Sequence, residues 1–331
     1  MNIRAKILLF LVFSYSIPLF SQRNEFQGKL KEIKSLIEAD NIDFLKLKMT
    51  VDQLVFPNQD HNVHAQIEQM VSKISTLIRD GSSSSRIAAI RKYLYERGAW
   101  NDHQEYVYDL DDPMGTKLSG GILANYLSSR KGNCVSMPIL FFIIAKKLDL
   151  DVSLSAAPEH VLMKFTDSET GRTFNVETTS GGHFARTAWL QSLRSITDMA
   201  LKNGIYLSKL TDKESAAIML MTLSQYYKGT KEYENVIRIS DLALSFYPKF
   251  VHAMLSKGSA YYKILERDYL TRYRSVKKIP ESLRGKFFYY NEENRKLFQQ
   301  AELLGWRPTP QVSEKQYSKM IKKEKQRRRG R

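Results

Sequence analysis

The 331-residue chain contains a single cysteine, Cys134. One thiol cannot form a disulfide within the chain, so a fold that depends on intrachain disulfides is excluded. Long apolar runs are equally scarce. Mean hydropathy is −0.39, and the longest largely apolar segment, near the N-terminus, has only 14 residues, which excludes a polytopic membrane protein. Acidic residues are outnumbered, 35 against 51 lysines and arginines. The 43% of hydrophobic and 26% of charged residues are typical of a globular protein, and the length predicts two domains.

The apolar segment near the N-terminus has the pattern of a secretory signal peptide. Arg4 and Lys6 precede a largely apolar run over residues 7–20, which is shorter than the ~20 residues that span a bilayer. We therefore expect residues 1–21 to be a signal peptide that is cleaved after Ser21, with an uncleaved N-terminal anchor as the alternative. The mature chain is then expected to have no transmembrane segment and to be periplasmic or extracellular.

The spacing of apolar residues predicts helices first, a mixed centre next and helices again at the end. From Glu25 to about Gly98 apolar residues recur every three or four positions, which indicates helices. The stretch from Cys134 to Leu148 is apolar nearly all round and predicts a buried helix. Alternating segments follow, and we predict a strand at 152–158, an antiparallel hairpin of 160–165 with 172–179, a loop at 181–183, and helices from about 186.

Residues 217–308 contain a weak internal repeat of 34 residues. Its members fall at the spacing of a tetratricopeptide helix pair: Leu220, Leu223, Tyr227, Val236, Ala243 and Pro248, then Met254, Gly258 and Tyr261 one period later. An insertion around residues 267–290 separates these from Ala301. Two repeats are too few for a free-standing solenoid, so we expect a helical domain at 209–308 that packs on the preceding domain at 22–208. A generic helical bundle is the alternative.

Positive charge is concentrated at the C-terminus. Residues 313–331 hold nine lysines and arginines and two glutamates, a net charge of +7. We interpret residues 309–331 as a disordered basic tail that contacts acidic material of the cell envelope. The aromatic residues that alternate with basic ones in single-strand binding proteins are missing, so no nucleic-acid partner is expected.

The lone cysteine follows Gly-Asn at the start of the predicted buried helix. Pro138 supports this position, because proline is tolerated in the first turn of a helix and not in its middle. A helix N-terminus carries partial positive charge and free N–H groups, which favour a thiolate and bind an oxyanion. Cys134 is therefore predicted to be a nucleophile, with a small buried hydrophobe as the alternative role.

A base and an orienting acid are available on the predicted hairpin. A hairpin centred near Ser168–Glu169 pairs residues whose numbers sum to 337, which puts Glu177 directly opposite His160. The apolar residues Val161, Met163, Phe165, Phe174 and Val176 then face the core. A carboxylate beside an imidazole fixes the tautomer of the ring and stabilises the imidazolium. Alternatively, His160 is a structural histidine and Glu177 an exposed charge at a strand end.

The residues RKGNCVSMPILFFIIAKKLDLDVSLSAAPEHVLMKF and TFNVETTSGG resemble bacterial transglutaminase-like domains, of a subgroup often followed by tetratricopeptide repeats. The resemblance covers residues 110–185 well and 212–305 loosely. It implies an α+β, papain-like core with a central buried helix and an antiparallel sheet. It also implies that Cys134 is the nucleophile, His160 the general base and Glu177 the orienting acid, although transglutaminases usually have aspartate there.

Other parts of a site are less defined in the sequence. Asn125, Tyr126 and Asn133 are candidates for an oxyanion hole because they lie close to Cys134 along the chain. His61 and His64 could lie on one helical turn, but no cysteine or acid stands at ligand spacing, so neither a metal nor a cofactor is predicted.

Three functions remain open from the sequence. The leading one is an exported cysteine-dependent acyl-transfer enzyme that hydrolyses, deamidates or transamidates peptide, protein or peptidoglycan-like amides. The second is an inactive transglutaminase-like scaffold of the cell envelope whose tetratricopeptide-like helices hold a partner peptide. The third is a tether that acts through the basic tail.

Overall fold

The computed structural model describes residues 16–57 and 62–308, and these form thirteen α-helices and six β-strands. The helices are α1 (Ser16–Glu38), α2 (Phe44–Val55), α3 (Val63–Ser75), α4 (Ser83–Tyr95), α5 (Leu123–Ser129), α6 (Ser136–Lys147), α7 (Thr187–Leu193), α8 (Asp198–Lys202), α9 (Asp212–Met219), α10 (Met221–Gly229), α11 (Tyr233–Phe246), α12 (Val251–Leu265) and α13 (Glu281–Leu303). The strands are β1 (Val107–Tyr108), β2 (Lys131–Gly132), β3 (Val152–Ala157), β4 (His160–Thr166), β5 (Thr173–Glu177) and β6 (His183–Ala185).

Helix α6 lies at the centre of the α+β fold because its side chains are apolar on nearly every side. Its residues from Ser136 to Ala145 are all buried. It packs against α3, α4 and α5 on one side and against β3 and β4 on the other. The buried central helix and the antiparallel sheet predicted from the sequence are both present.

The sheet runs β3-β4-β5-β6, with every neighbouring pair antiparallel. One face packs on α6, and it carries the apolar residues predicted to face the core: Val161, Met163, Phe165, Phe174 and Val176. On the opposite face Leu162 packs with Leu190 and Ile196, at and just after helix α7. Strands β3 and β4 are therefore buried on both faces, whereas β5 is buried only from Asn175 to Glu177 and β6 is mostly exposed.

The register of the β4–β5 hairpin differs from the predicted one by two residues. Met163 pairs with Val176, so Glu177 is not directly opposite His160, and that prediction is wrong. Side chains alternate with a period of two along a strand, so a shift of two residues leaves each on its predicted face.

The turn between β4 and β5 is held by contacts that include a distant helix, and the sequence of the hairpin alone does not reveal them. Ser83, at the start of α4, donates its hydroxyl to Asp167 Oδ1 at 2.6 Å, and its backbone N–H donates to Glu169 Oε1 at 3.1 Å. Thr170 Oγ1 donates to Asp167 Oδ2 at 2.7 Å. These bonds fix the position of the turn, and those from Ser83 come from a helix more than eighty residues earlier in the chain.

Strand β6 was not predicted, because residues 181–183 were expected to form a loop. Gly181 and Gly182 do make the turn, with φ of 79° and 69°, values that favour glycine. His183 already belongs to the strand and pairs with Glu177.

A buried ion pair joins the N-terminal helices to the rest of the fold. Lys48 on α2 is completely buried, and its Nζ donates to Asp52 Oδ1 at 2.6 Å, Gly121 O at 2.8 Å and Thr222 Oγ1 at 3.3 Å. Asp52 in turn accepts the backbone N–H of Leu123 at 2.9 Å. Helices α2, α5 and α10 therefore meet at one ammonium group.

The C-terminal helices pack sequentially, α10 on α11, α11 on α12 and α12 on α13. They also pack on the preceding part of the chain, since α10 contacts α2 and the N–H of Leu154 in β3 donates to the hydroxyl of Ser215 in α9 at 3.2 Å. The segment between α12 and α13 is shorter than the insertion expected at 267–290, because α13 already begins at Glu281. Ile279, just before α13, and Phe287, within it, pack together with Leu265. Assignment of these helices as tetratricopeptide repeats stays a prediction.

Two predicted segments fall wholly or mostly outside the described residues. The basic tail, 309–331, lies outside them, and of the predicted signal peptide only residues 16–21 are described, as the beginning of α1. Within residues 16–57 and 62–308, no helix is long and apolar enough to cross a membrane.

Candidate active site

Cys134 lies in the turn that leads into the central helix, two residues before α6 begins and directly after Asn133, which caps the helix. Asn133 Oδ1 accepts the backbone N–H groups of Val135 at 2.9 Å and Ser136 at 3.1 Å. Ser136 Oγ accepts the N–H of Asn133 at 3.1 Å, so the two residues form a capping box with serine in place of the usual acid. The N–H of Met137 bonds to the carbonyl of Asn133 at 3.1 Å, so the turn that contains Cys134 runs directly into α6.

Just before Cys134, at Gly132, the backbone passes very close to the side chains of Tyr126 and Ser136. A Cβ atom at this position would lie 2.6 Å from Tyr126 Cε2 and 2.8 Å from Ser136 Oγ, closer than carbon atoms pack. Tyr126 is 1% exposed and packs edge-on against Tyr106, so the ring has no room to retreat. Glycine at 132 therefore lets the chain reach the capping position.

His160 and Glu177 form a buried, hydrogen-bonded pair on the sheet. His160 Nε2 lies 2.7 Å from Glu177 Oε2, and the residues are 4% and 5% exposed. The other carboxylate oxygen, Oε1, accepts the hydroxyl of Thr179 at 2.6 Å and its backbone N–H at 3.2 Å. Both oxygens of Glu177 have partners, so the carboxylate is fixed in one orientation.

The environment of the pair favours the charged form of both groups. Burial is the largest influence on His160 and lowers its pKa, but the hydrogen bonds to Cys134 and Glu177 outweigh it, and the pKa is raised. For Glu177, burial raises the pKa, but the hydrogen bond to His160, its charge and the bonds from Thr179 outweigh it, and the pKa is lowered. The pair is therefore suited to hold an imidazolium.

The thiol of Cys134 lies beside this pair. The thiol of Cys134 is close enough to the imidazole of His160 to raise the pKa of the ring, and since Nε2 is bonded to Glu177, Nδ1 is the ring nitrogen left for the thiol. Cys134 Sγ also lies 4.0 Å from the carbonyl oxygen of Glu159. Cys134 is only partly buried, so the sulfur is accessible from solvent while the imidazole behind it is not.

The three predicted oxyanion-hole residues have different surroundings. Asn133 uses its carbonyl oxygen to cap α6, and its Nδ2 lies close to Gly120. Asn125 Nδ2 donates to Ser119 O at 3.2 Å. The hydroxyl of Tyr126 is buried without a hydrogen-bond partner among the described residues, and burial first, then Tyr95 and Tyr106, raises its pKa. Tyr126 is therefore a neutral phenol, and the role of all three in binding an oxyanion stays a prediction.

The structure adds residues that sequence reasoning did not select. A cleft beside His160 is lined by residues of the C-terminal helices, among them His252 and Trp306. Neither a single tryptophan nor a lone histidine at the start of an amphipathic helix belongs to a motif that the sequence could reveal. Only the packing of α12 near the β3–β4 turn brings them to the site.

No metal site emerges from the part of the chain that the structure describes. Within it, no group of three or more histidine, cysteine, aspartate or glutamate side chains is placed to hold a metal ion. His64 is exposed on α3 beside Glu68, and His61 lies outside the described residues.

Comparison with known proteins gives one match. The family model of the transglutaminase-like superfamily matches residues 61–220, a stretch that includes Cys134, His160 and Glu177. These residues therefore form a transglutaminase-like superfamily domain, as the sequence resemblance implied. No curated protein and no solved structure matched the chain.

Proposed function

We propose that this protein is a cysteine-dependent acyl-transfer enzyme in which Cys134 is the nucleophile, His160 the general base and acid, and Glu177 the orienting acid. The observation that carries the proposal is the position of the His160 ring. One ring nitrogen is 2.7 Å from the Glu177 carboxylate, and the thiol of Cys134 is close enough to the ring to raise its pKa. This arrangement supports the proposed roles of a nucleophile, a base and a group that orients the base.

In the first half of the reaction the substrate acyl group moves to the sulfur. His160 Nδ1 accepts the proton of the thiol, and the sulfur attacks the carbonyl carbon of an amide. The tetrahedral intermediate then breaks its C–N bond, and the imidazolium gives the proton to the leaving amine or ammonia. The product of this half is a thioester on Cys134.

In the second half an acceptor releases the acyl group. Water or a primary amine attacks the thioester while His160 accepts its proton, and the C–S bond breaks to restore the thiol with that proton. Water gives hydrolysis or deamidation, and an amine gives a crosslinked amide. Glu177 keeps its charge throughout and stabilises the imidazolium that forms in each half.

The developing oxyanion needs hydrogen-bond donors next to Cys134. We propose the backbone N–H of Cys134 as one donor, because the first N–H groups of a helix lack intrahelical acceptors. Asn125, Tyr126 and Asn133 are the side-chain candidates for a second. The N-terminal end of α6 also contributes partial positive charge toward the intermediate.

The proposed substrates are peptide, protein or cell-wall-like amides outside the cytoplasm. The N-terminal pattern at residues 1–21 supports export, and the net charge of +16 would attract acidic envelope material. We further propose that residues 209–308 act as a helical substrate- or partner-binding domain.

An activated ester tests the chemistry without knowledge of the natural substrate. The full chain is incubated with p-nitrophenyl acetate, and intact mass spectrometry records the acetyl group on Cys134. We expect rapid single acetylation in the wild type, none in Cys134→Ser, and a rate on the order of 100-fold lower in His160→Ala. An equal rate in His160→Ala, or a folded but unreactive Cys134, would contradict catalysis and favour the scaffold function.

A further inference from the structure

Helix α7 crosses the face of the sheet that carries the proposed base and its acid, and printed contacts fix its direction. Asn175 Nδ2 donates to the hydroxyl of Thr187, at the start of α7, at 3.1 Å, and Asn175 pairs with Lys164 in the second half of β4. Leu190, further along α7, packs in one cluster with Leu162. The helix therefore runs antiparallel to β4, and its last residues reach the start of that strand.

This direction brings Arg194, which ends α7, to the level of His160. The N–H of Arg194 bonds to the carbonyl of Leu190 at 3.0 Å, so Arg194 lies one helical turn beyond Leu190. His160 lies two residues before Leu162 on the same face of β4. One helical turn rises about 5.4 Å and two strand residues span about 6.6 Å, so the two paths end close together. Burial and then the charge of Arg194 oppose the hydrogen bonds that raise the pKa of His160, which agrees with a short separation.

Within the described part of the chain, nothing balances the charge of Arg194. Its Nε is buried and has no hydrogen-bond partner, so the stem of the side chain lies inside the fold. The two terminal nitrogens also have no hydrogen-bond or ion-pair partner in residues 16–57 and 62–308, but they are not buried. A cation next to a base that must become an imidazolium is unfavourable. An anion bound at the terminal nitrogens would remove this conflict.

A carboxylate of the substrate is the anion that fits this position. The terminal N–H groups of a guanidinium match the two oxygens of a carboxylate. Glu177 cannot supply it, because both of its oxygens already accept hydrogen bonds, and Glu159 is exposed in the β3–β4 turn and forms no ion pair with Arg194. The thiol of Cys134 and the guanidinium both adjoin His160, so the carboxylate would lie near the amide that the thiol attacks.

We propose that Arg194 is a specificity residue of the acyl-transfer reaction, and that its terminal nitrogens bind a carboxylate that the substrate carries next to the amide attacked by Cys134. This inference deepens the proposed function and rests on it. The carboxylate is either an acidic side chain beside the reactive amide or the free C-terminal carboxylate of a peptide. Once bound, it offsets the charge of Arg194 beside His160 and so helps the ring to hold the proton of the thiol.

Two reagents of nearly the same size test the charge at the site. Iodoacetate carries a carboxylate and iodoacetamide a neutral amide, and both alkylate Cys134, the only thiol of the full chain. We expect Arg194→Gln to lower the ratio of the iodoacetate rate to the iodoacetamide rate by about threefold to tenfold. Arg194→Lys keeps the charge and should keep most of the ratio. Arg186→Gln removes an exposed charge just before the other end of α7 and should change the ratio by less than about twofold.

Protection of the thiol distinguishes the two sources of the carboxylate. N-acetylglutamine has a free α-carboxylate, its isomer N-acetylisoglutamine has a side-chain carboxylate, and N-acetylglutaminamide has neither. Each compound is titrated against alkylation of Cys134 by iodoacetamide. We expect one of the two acids to protect at a concentration at least about fivefold lower than the neutral amide does. Arg194→Gln should remove that difference, and the isomer that protects identifies the source.

An unchanged ratio in a folded Arg194→Gln variant, or an equal fall in Arg186→Gln, would overturn the proposal. If Arg194→Gln does not fold, the wild type decides, because equal protection by all three compounds would also overturn it. The iodoacetamide rate separates this failure from that of the proposed function. A reactive Cys134 with an unchanged ratio leaves acyl transfer standing, whereas a folded protein whose Cys134 reacts with neither reagent overturns both.

Discussion

The carboxylate of Glu177 holds the imidazole of His160 through one oxygen, Oε2, 2.7 Å from Nε2, and is itself held through the other. That second oxygen, Oε1, accepts both the hydroxyl and the N–H of Thr179. The orientation of the ring therefore depends on a residue two positions beyond the acid. In the proposed mechanism the ring presents Nδ1 to Cys134, so the pair would determine whether the thiol can be activated.

The orientation of His160 can be tested through its acid. Glu177→Gln keeps the shape but loses the charge that stabilises the imidazolium, so we expect the acetylation rate of Cys134 to fall on the order of 100-fold. Glu177→Asp keeps the charge but is one methylene shorter and must lose either His160 or Thr179, so an intermediate loss of about tenfold is expected. Thr179→Val is the matched control, with a smaller loss. Full activity in Glu177→Gln would show that the carboxylate is not needed.

The same pair should make stability depend on pH. The pKa of His160 is raised, so its stabilising contribution is complete below its ordinary value of 6.5 and is lost as pH rises through the raised value. The pKa of Glu177 is lowered, so its contribution is complete above its ordinary value of 4.5 and is lost as pH falls through the lowered value. Both contributions are complete between these ordinary values.

We therefore expect the free energy of unfolding lost in Glu177→Gln to be largest near pH 5.5 and about 1 kcal/mol smaller near pH 9. Guanidinium unfolding at several pH values measures it. The exposed pair of His64 and Glu68 provides a control, since His64→Gln should change stability by less than about 0.5 kcal/mol at either pH. A loss in Glu177→Gln that is the same at both pH values would show that the pair is not ionised.

The buried Lys48–Asp52 pair should be necessary for stability. Lys48→Met leaves Asp52 as a buried charge without its cation, which costs about 3–5 kcal/mol. Lys34→Met removes a pair with the same four-residue spacing that is half exposed, and we expect less than about 1 kcal/mol. Chemical unfolding measures the free energy of unfolding lost in each variant. Similar losses would mean that burial does not determine how much an ion pair stabilises the fold.

A methyl group at position 132 should displace the segment that leads to Cys134. In Gly132→Ala the new Cβ meets Tyr126 and Ser136 at less than 3 Å, so we expect at least about 2 kcal/mol of destabilisation and slower modification of Cys134. In Gly285→Ala, within α13, nothing lies within 4 Å of the new Cβ, and about 0.5–1 kcal/mol of stabilisation is expected. An unaffected Gly132→Ala variant would mean that the capping segment tolerates displacement.

Much of the core could be predicted because it depends on local patterns. The run from Met137 to Ala145 is apolar on all sides, which requires a buried helix, and alternation along β4 and β5 assigned each residue to its face. The register could not be obtained this way, since Ser83 fixes the turn through Asp167 across the fold. The error of two residues did not matter for His160 and Glu177 because faces repeat with a period of two.

The cleft beside His160 could not be predicted from the sequence. His252 and Trp306 lie far from His160 along the chain, and their residue types fit ordinary helix packing. What brings them together is the cleft beside His160, which both residues line. Such a relationship arises only when α12 and the β3–β4 turn come together.

The most direct measurement is the alkylation rate of Cys134 by iodoacetamide near pH 7 in the wild type and in His160→Ala. Cys134 is the only thiol in the chain, so the label reports on this position alone, and His64→Ala serves as the control. If His160 accepts the thiol proton, the wild type and the control should react at least about tenfold faster than His160→Ala. Equal rates in all three, or a folded protein whose Cys134 does not react, would contradict the assignment of Cys134 and His160 as a catalytic pair.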